Sequence, residues 1–183
     1  MSQVVPAIFG TGIIKALMDI NGFQVVSSNF GVFMVGALIT LELTALSVAF
    51  GMILGLIFGL AKLAPQRKIT YAIATAYIDF FRGTPLFVQI LLLYFGILPL
   101  VGDFRDFTAA VIACSLNSAA YIAEIVRAGI QAIDKGQMEA GRSLGMTHGQ
   151  AMWYIILPQA YKVVIPPLIN EFIAMLKDTS LVS

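Results

Sequence analysis

The chain has 183 residues, of which 59% are hydrophobic and 11% charged, and its net charge is +1. A water-soluble domain carries about 25% charged residues. The mean hydropathy of +0.90 therefore puts this chain in the membrane class, and a net charge so near zero gives no electrostatic case for nucleic acid.

In chain order, residues 1–29 read as an N-terminal interfacial segment, with a short helix before Asn21 and turn signals at Asn21-Gly22 and Ser27-Ser28-Asn29. Gln3 stands where a cleaved signal peptide would carry a basic opening. Phe30 to Leu63 reads as the first span. It has no charge between Glu42 and Lys62, about the 20 residues a bilayer needs. Gly51, Gly55 and Gly59 recur at i+4, a row that lets another helix approach closely. The row serves either static packing or a sliding surface. Glu42 lies either at a solvated outer boundary or against a water-filled path.

Lys62, Arg67 and Lys68 flank a short basic loop that is cytoplasmic by the positive-inside rule. A second span from about Ile69 to Gly102 is too long for one crossing, and Gly83-Thr84-Pro85 should break it. The expectation is a helix to Arg82, an irregular turn, then a helix to about Leu98. Asp79 and Arg82, three apart, are placed to pair. Asp103, Arg105 and Asp106 read as an outer loop.

Phe107 to Ala123 reads as a third span. Asn117, Tyr121 and Glu124 fall on one face of it, with Ser118 adjacent. Such a stripe faces protein or water, not lipid. Interhelical hydrogen bonding and lining of a substrate path are both open. Glu124 and Arg127 are spaced to pair. Cys114, the single cysteine, lies in an apolar run and reads as a packing residue.

Gln137 to Pro158 is a polar island. It reads as two short helices around a bend: Glu139 to Leu144, ended by Gly145, then a second with Thr147 as N-cap and Gln150 at capping-box spacing, closed by Pro158. His148, the single histidine, is a solvated or interface residue there. The bounds of this cytoplasmic loop are taken as 134–158. A fourth span should run from about Val163 to Leu176, with Pro166-Pro167 limiting any helix before it and Asn170 and Glu171 near its middle.

Glu139-Ala140-Gly141, Gly145, Ile155, Leu157 and Pro158 together resemble the EAA loop of bacterial ABC importer permeases. Gly141 stands for the second alanine of that pattern. Arg82-Gly83-Thr84-Pro85-Leu86, Ser115 to Tyr121, Leu157-Pro158-Gln159-Ala160, Asn170-Glu171-Phe172 and Lys177 to Leu181 are similar to the polar amino-acid uptake branch. The resemblance covers about residues 30–183. It implies an all-α integral membrane permease domain with a five-span core, whose last span would follow Ser183. It implies a bacterial cytoplasmic membrane, a second permease chain (a copy or a paralogue), two ATP-binding subunits and an extracytoplasmic amino-acid-binding protein. Glu139, Ala140, Gly141, Gly145, Leu157 and Pro158 would couple the chain to the ATPase. ATP and magnesium would be bound by that partner: no G-x-x-x-x-G-K-[ST] occurs here, and no cofactor is expected in this chain.

Basic residues Lys62, Arg67, Lys68, Arg127, Lys135, Arg142 and Lys162 fall on the expected inner side, which places the N-terminus outside. The chain is expected not to be an enzyme, since one histidine and one cysteine supply no catalytic constellation. A self-contained secondary transporter or channel subunit is the alternative, separated from the permease by its indifference to ATP. For a substrate path the candidates are Gln89, Asn117, Ser118, Tyr121, Asn170 and Glu171, with Glu42 as a further acid. Glu171, Asn117 and Gln89 are the favoured trio, and the excess of acid favours a cationic or polar amino acid.

Overall fold

Every described element is helical in the computed structural model, which describes residues 29–102 and 106–181. The expected helix before Asn21 and the loop residues Asp103 and Arg105 lie outside them. The chain divides into two units, Met1–Ile39 and Thr40–Ser183; the described part of the first is the opening of α1. Helix α1 spans Phe30–Lys62, α2 Lys68–Gly83, α3 Leu86–Val101, α4 Asp106–Gln131, α5 Lys135–Ser143 and α6 His148–Asp178. A single 3-10 turn, Thr179–Leu181, follows. Among the described residues three helices, α1, α4 and α6, are long and apolar enough to cross a membrane, and four if α2 with α3 counts as one broken span.

In α1 the buried stripe is Leu43, Thr44, Ser47, Val48, Gly51, Gly55 and Gly59. Its i+4 spacing is the seam read from the sequence. The glycines lie directly on α4. A Cβ on Gly51 would stand 3.1 Å from Ser118 Cβ, on Gly55 2.7 Å from Ile122 Cγ2, and on Gly59 2.8 Å from the Ala123 carbonyl oxygen. The row is therefore a packing seam in this conformation. Glu42 lies on the exposed side of α1.

Helices α2 and α3 meet at 110° across Thr84-Pro85, so the break expected there is real. Thr84 is extended at φ −119°, ψ 146°, and Pro85 at φ −64°, ψ 136°. The residue before a proline is driven to that region by the ring. Rings hold α2 in place: Phe58 stacks on Tyr77 at 4.1 Å between centroids, and Tyr77 donates to the Leu116 carbonyl at 2.5 Å.

Helix α4 is the central element, packed against α2, α3 and α6, and it runs two turns further than expected, to Gln131. Its small residues permit this: Ala109, Ala110, Ala113, Ala119, Ala120 and Ala123 are all buried. Cys114 is fully buried in the core with Leu43, Val111, Ile122, Ile156 and Met175, a packing residue as read.

Two proline expectations fail in α6. Pro158 does not close a helix, and Pro166-Pro167 do not delimit one; α6 is continuous from His148 to Asp178. The reason at Pro158 is a wide π turn, Met152–Ile156, in which Leu157 N–H bonds to the Met152 carbonyl five residues back. Pro158 then falls in the first turn of the resumed α register, where a proline is tolerated. Pro166 and Pro167 lie inside the segment Leu157–Asp178, where membrane helices tolerate proline.

Candidate functional site

The predicted polar stripe of α4 sorts into separate layers. Asn117 Nδ2 donates to Gln89 Oε1 at 2.8 Å, both side chains being buried. Gln89 Nε2 lies 2.8 Å from the Phe81 carbonyl, 3.0 Å from the Thr84 carbonyl and 2.7 Å from Thr84 Oγ1. The Phe81 carbonyl is the one that Pro85, four residues on, leaves without a helical donor, and the Thr84 carbonyl lies at the break itself. The Gln89–Asn117 pair thus ties the break to α4.

Glu171 does not join them. Its Oε1 accepts from Ser118 Oγ at 3.0 Å, which joins α6 to α4 one residue further along the stripe. The expected trio is therefore split between two links, and Asn170, next to Glu171, is exposed. Which pairs meet depends on how the helices are rotated, a quantity spacing does not carry.

A charged layer follows. Glu124, with a side chain 13% exposed, takes Lys62 Nζ on Oε1 at 2.7 Å and Arg127 Nη2 on Oε2 at 2.6 Å. The Glu124–Arg127 pair is the one expected from spacing. The Asp79–Arg82 pair is not formed: Asp79 Oδ1 lies 3.8 Å from Lys62 Nζ, and Arg82 Nη1 lies 3.7 Å from Glu124 Oε2. Glu124 is the more deeply set acid, so it draws the cations. Arg82 lies over the ring of half-buried Tyr121, Cζ 5.4 Å from its centroid. Lys62 marked only the inner side in the sequence; its role as the α1 partner of Glu124 was hidden by 62 residues of separation.

The surface knob is built from local chemistry. Asp134 caps α5 by accepting from Gly136 N–H at 2.6 Å; the sequence reading began that helix at Glu139 and missed this cap, although Asp134 and Gln137 stand at capping-box spacing. Gly145, at φ 86°, ends α5. Its N–H bonds to the Arg142 carbonyl, and Met146 N–H to Gly141 at 3.2 Å, the 6→1 and 5→2 pattern of a Schellman turn. Thr147 then caps α6: Gln150 N–H donates to Thr147 Oγ1 at 3.2 Å and Thr147 N–H to Gln150 Oε1 at 2.8 Å. The capping box is as read.

Gly141 is buried where α5 meets the π turn, and a Cβ there would stand 2.8 Å from Ile155 Cδ1 and 3.2 Å from Ala151 Cβ. Glycine in place of alanine thus lets α5 sit closer to α6. Around this joint Glu139, Ala140, Gly145 and Pro158 are exposed and Leu157 is half-buried. Leu144, at the apex, is 83% exposed and Tyr154 69%, apolar surface presented by a rigid turn.

The family described as binding-protein-dependent transport system inner membrane component matches residues 47–183. The arginine transport system permease protein ArtQ of Bacillus subtilis (strain 168) is 46% identical over 149 residues, 81% of this chain and 68% of that protein. The L-cystine transport system permease protein TcyB of the same organism is 46% identical over 148 residues, 81% of this chain and 63% of that protein. The chain spans about two thirds of the length of these curated relatives. A solved amino acid ABC transporter with histidines superposes with a TM-score of 0.83 at 48% identity, over 87% of this chain and 74% of that one.

Proposed function

Since the chain belongs to the binding-protein-dependent transport system inner membrane component family, and so is a permease-type inner membrane protein, we propose that it carries amino acids as the permease subunit of an ATP-driven importer. The observation that carries this reading is the knob: α5 and the start of α6, with caps at Asp134 and Thr147, pack Glu139-Ala140-Gly141 and Gly145 beside the π turn that leads to Leu157-Pro158, with Leu144 exposed. An exposed apolar apex on a preorganised turn suits docking of a protein partner.

In this reading each knob engages one ATP-binding subunit, which alone binds ATP and magnesium and hydrolyses it. Two permease chains form the path between them, with the N-terminus outside. A soluble binding protein delivers the amino acid. Closure of the ATPase pair moves the knobs, and the helices rock between two packed arrangements. Because α6 continues from the knob into the span that bears Glu171, motion at Thr147 is passed to the polar stripe without an intervening linker. Path contacts are assigned to Gln89, Asn117, Ser118, Tyr121, Asn170 and Glu171. Glu171, bonded to Ser118 alone among these, is the acid for an ammonium or a basic side chain. The names of the relatives, arginine and cystine carriers, support amino acids as the class.

The test is co-purification and ATP-driven uptake with Glu139→Arg and Gly145→Val. Loss of ATPase association with the permease still inserted supports the docking role; undiminished association and uptake sink it. Uptake that proceeds on an ion gradient without ATP or the partner makes the chain a secondary transporter instead.

A further inference from the structure

One cation of the charged layer is left with its hydrogen bonds unspent. Both oxygens of Glu124 are taken: Oε1 by Lys62 at 2.7 Å, Oε2 by Arg127 Nε and Nη2 at 3.1 and 2.6 Å. Arg82 Nη1 stands at 3.7 Å from Oε2, beyond hydrogen-bond reach, and its side chain is 43% exposed. No acceptor among the described residues lies within hydrogen-bond distance of its guanidinium. The Tyr121 ring beneath it, at 5.4 Å, supports the group by cation–π contact.

The unspent face borders a cleft. It has a volume of about 460 Å³ and is lined by Arg82 from α2, Tyr121, Glu124 and Gly129 from α4, and Val163 and Pro167 from α6. That volume suits a small ligand. Of the charged side chains only Arg82 and Glu124 line it, and the ion-pair cluster they belong to, Lys62, Arg82 and Arg127 with Glu124 and Asp79, has one cation more than acids. A guanidinium presents paired N–H groups that match a carboxylate two at a time. On the opposite wall Pro167 has no N–H to give the Val163 carbonyl four residues earlier, so that oxygen lacks its usual helical donor. Along α4, Tyr121 beneath Arg82 is three residues, less than one turn, from Ser118, which holds Glu171. Arg82 and Glu171 are thus tied to neighbouring positions of α4, about 5 Å apart along its axis, with Glu171 outside the lining of the cleft.

We propose that this cleft is a carboxylate site: Arg82 binds the α-carboxylate of the amino acid in transit against Tyr121, while Lys62 and Arg127 neutralise Glu124 on the same wall. The proposal rests on the permease reading above. It assigns to Arg82 a specificity that the acids of the stripe do not supply, rejection of molecules with the same side chain but no free carboxylate. The phosphate of an anionic lipid offers the same oxygen chemistry, and the test separates the two.

The measurement uses the full permease–ATPase complex in nanodiscs. Binding of labelled L-arginine, L-glutamine and L-cystine is measured in phosphatidylcholine alone and with phosphatidylglycerol added, with each α-carboxamide as competitor. Wild type should bind at least one acid and prefer it to its amide, with no effect of phosphatidylglycerol. Arg82→Gln should weaken the acid by about tenfold or more, as loss of a bidentate charge-assisted contact does, and leave the amide unchanged. Arg82→Lys, which keeps the charge and protects against a folding loss, should retain the preference for acid over amide. The site falls if Arg82→Gln binds the acid as wild type does, if acid and amide weaken equally, if phosphatidylglycerol displaces the acid, or if no acid binds. ATP-driven uptake by the wild-type complex in any of those cases leaves the permease reading standing; absence of uptake removes both.

Discussion

Asn117 on α4 and Gln89 on α3 bond to each other across 2.8 Å in the buried interior, and Gln89 at the same time serves the backbone left open where α2 ends. Asn117→Leu strands one buried acceptor, at a cost of about 1–3 kcal/mol. Gln89→Leu should cost more, since it also releases the Phe81 and Thr84 carbonyls. Thermal unfolding of the purified subunit in detergent, run as a double-mutant cycle, should show the two effects as non-additive. Sums agreeing within about 0.5 kcal/mol would mean the pair is uncoupled.

Gly59→Ala should be destabilising by about 1–3 kcal/mol, the range for overpacking. Its Cβ would meet backbone, the Ala123 oxygen at 2.8 Å and Cα at 3.2 Å, and backbone does not yield as a side-chain tip does. Gly31→Ala in the same helix, with nothing within 4 Å among the described residues, should be neutral or gain up to about 1 kcal/mol of helix propensity. Equal unfolding midpoints for the two variants would show that the seam is loose.

Removing either cap of the knob should uncouple rather than unfold. Thr147→Val forfeits about 1 kcal/mol of N-cap stability, and Gly145→Ala forces a Cβ into the left-handed region at φ 86°, costing about 1–2 kcal/mol. Both should lower ATP-driven uptake by the complex while the unfolding midpoint of the spans is kept. A matched fall in the midpoint instead would place the effect in the fold.

The charged layer predicts an order of severity. Glu124→Leu removes the one carboxylate that bonds both Lys62 and Arg127, and should cost about 2 kcal/mol or more. Lys62→Met leaves Glu124 still bonded to Arg127 and should be milder. Stability measured on the assembled complex decides it; a reversed order would mean that Lys62, not Glu124, is the centre of the layer.

Much of this was legible because it is local. Thr147 with Gln150, Gly145 after Arg142, the i+4 glycines and the Gly83-Thr84-Pro85 break each act within a few residues, and each is found as read. The proline rules misled in α6 because they assume a straight α register in water. A π turn before Pro158 resets that register, and neither Pro158 nor Pro166-Pro167 ends the helix. Asp79 and Arg82 sat at pairing distance, yet a more deeply set acid on another helix took the cations. The split of Glu171 from Asn117 and Gln89 follows from the rotation of α6 about its axis, which no spacing within one helix encodes.

The central place of α4 has a consequence for how the chain is made. The cross-helix partners described for its polar groups, Lys62, Tyr77, Phe81, Arg82 and Gln89, all precede it in the sequence, and Glu171 alone follows. A nascent chain that has released α4 from the ribosome already holds the acceptors and cations that α4 requires. Its buried amide and carboxylate need not wait in hydrocarbon, where an unpaired polar group costs several kcal/mol. Ser118 stays free until α6 arrives, and a hydroxyl is the least costly of these groups to leave waiting, because it bonds back to its own helix. The order of synthesis thus matches the order of increasing tolerance for delay.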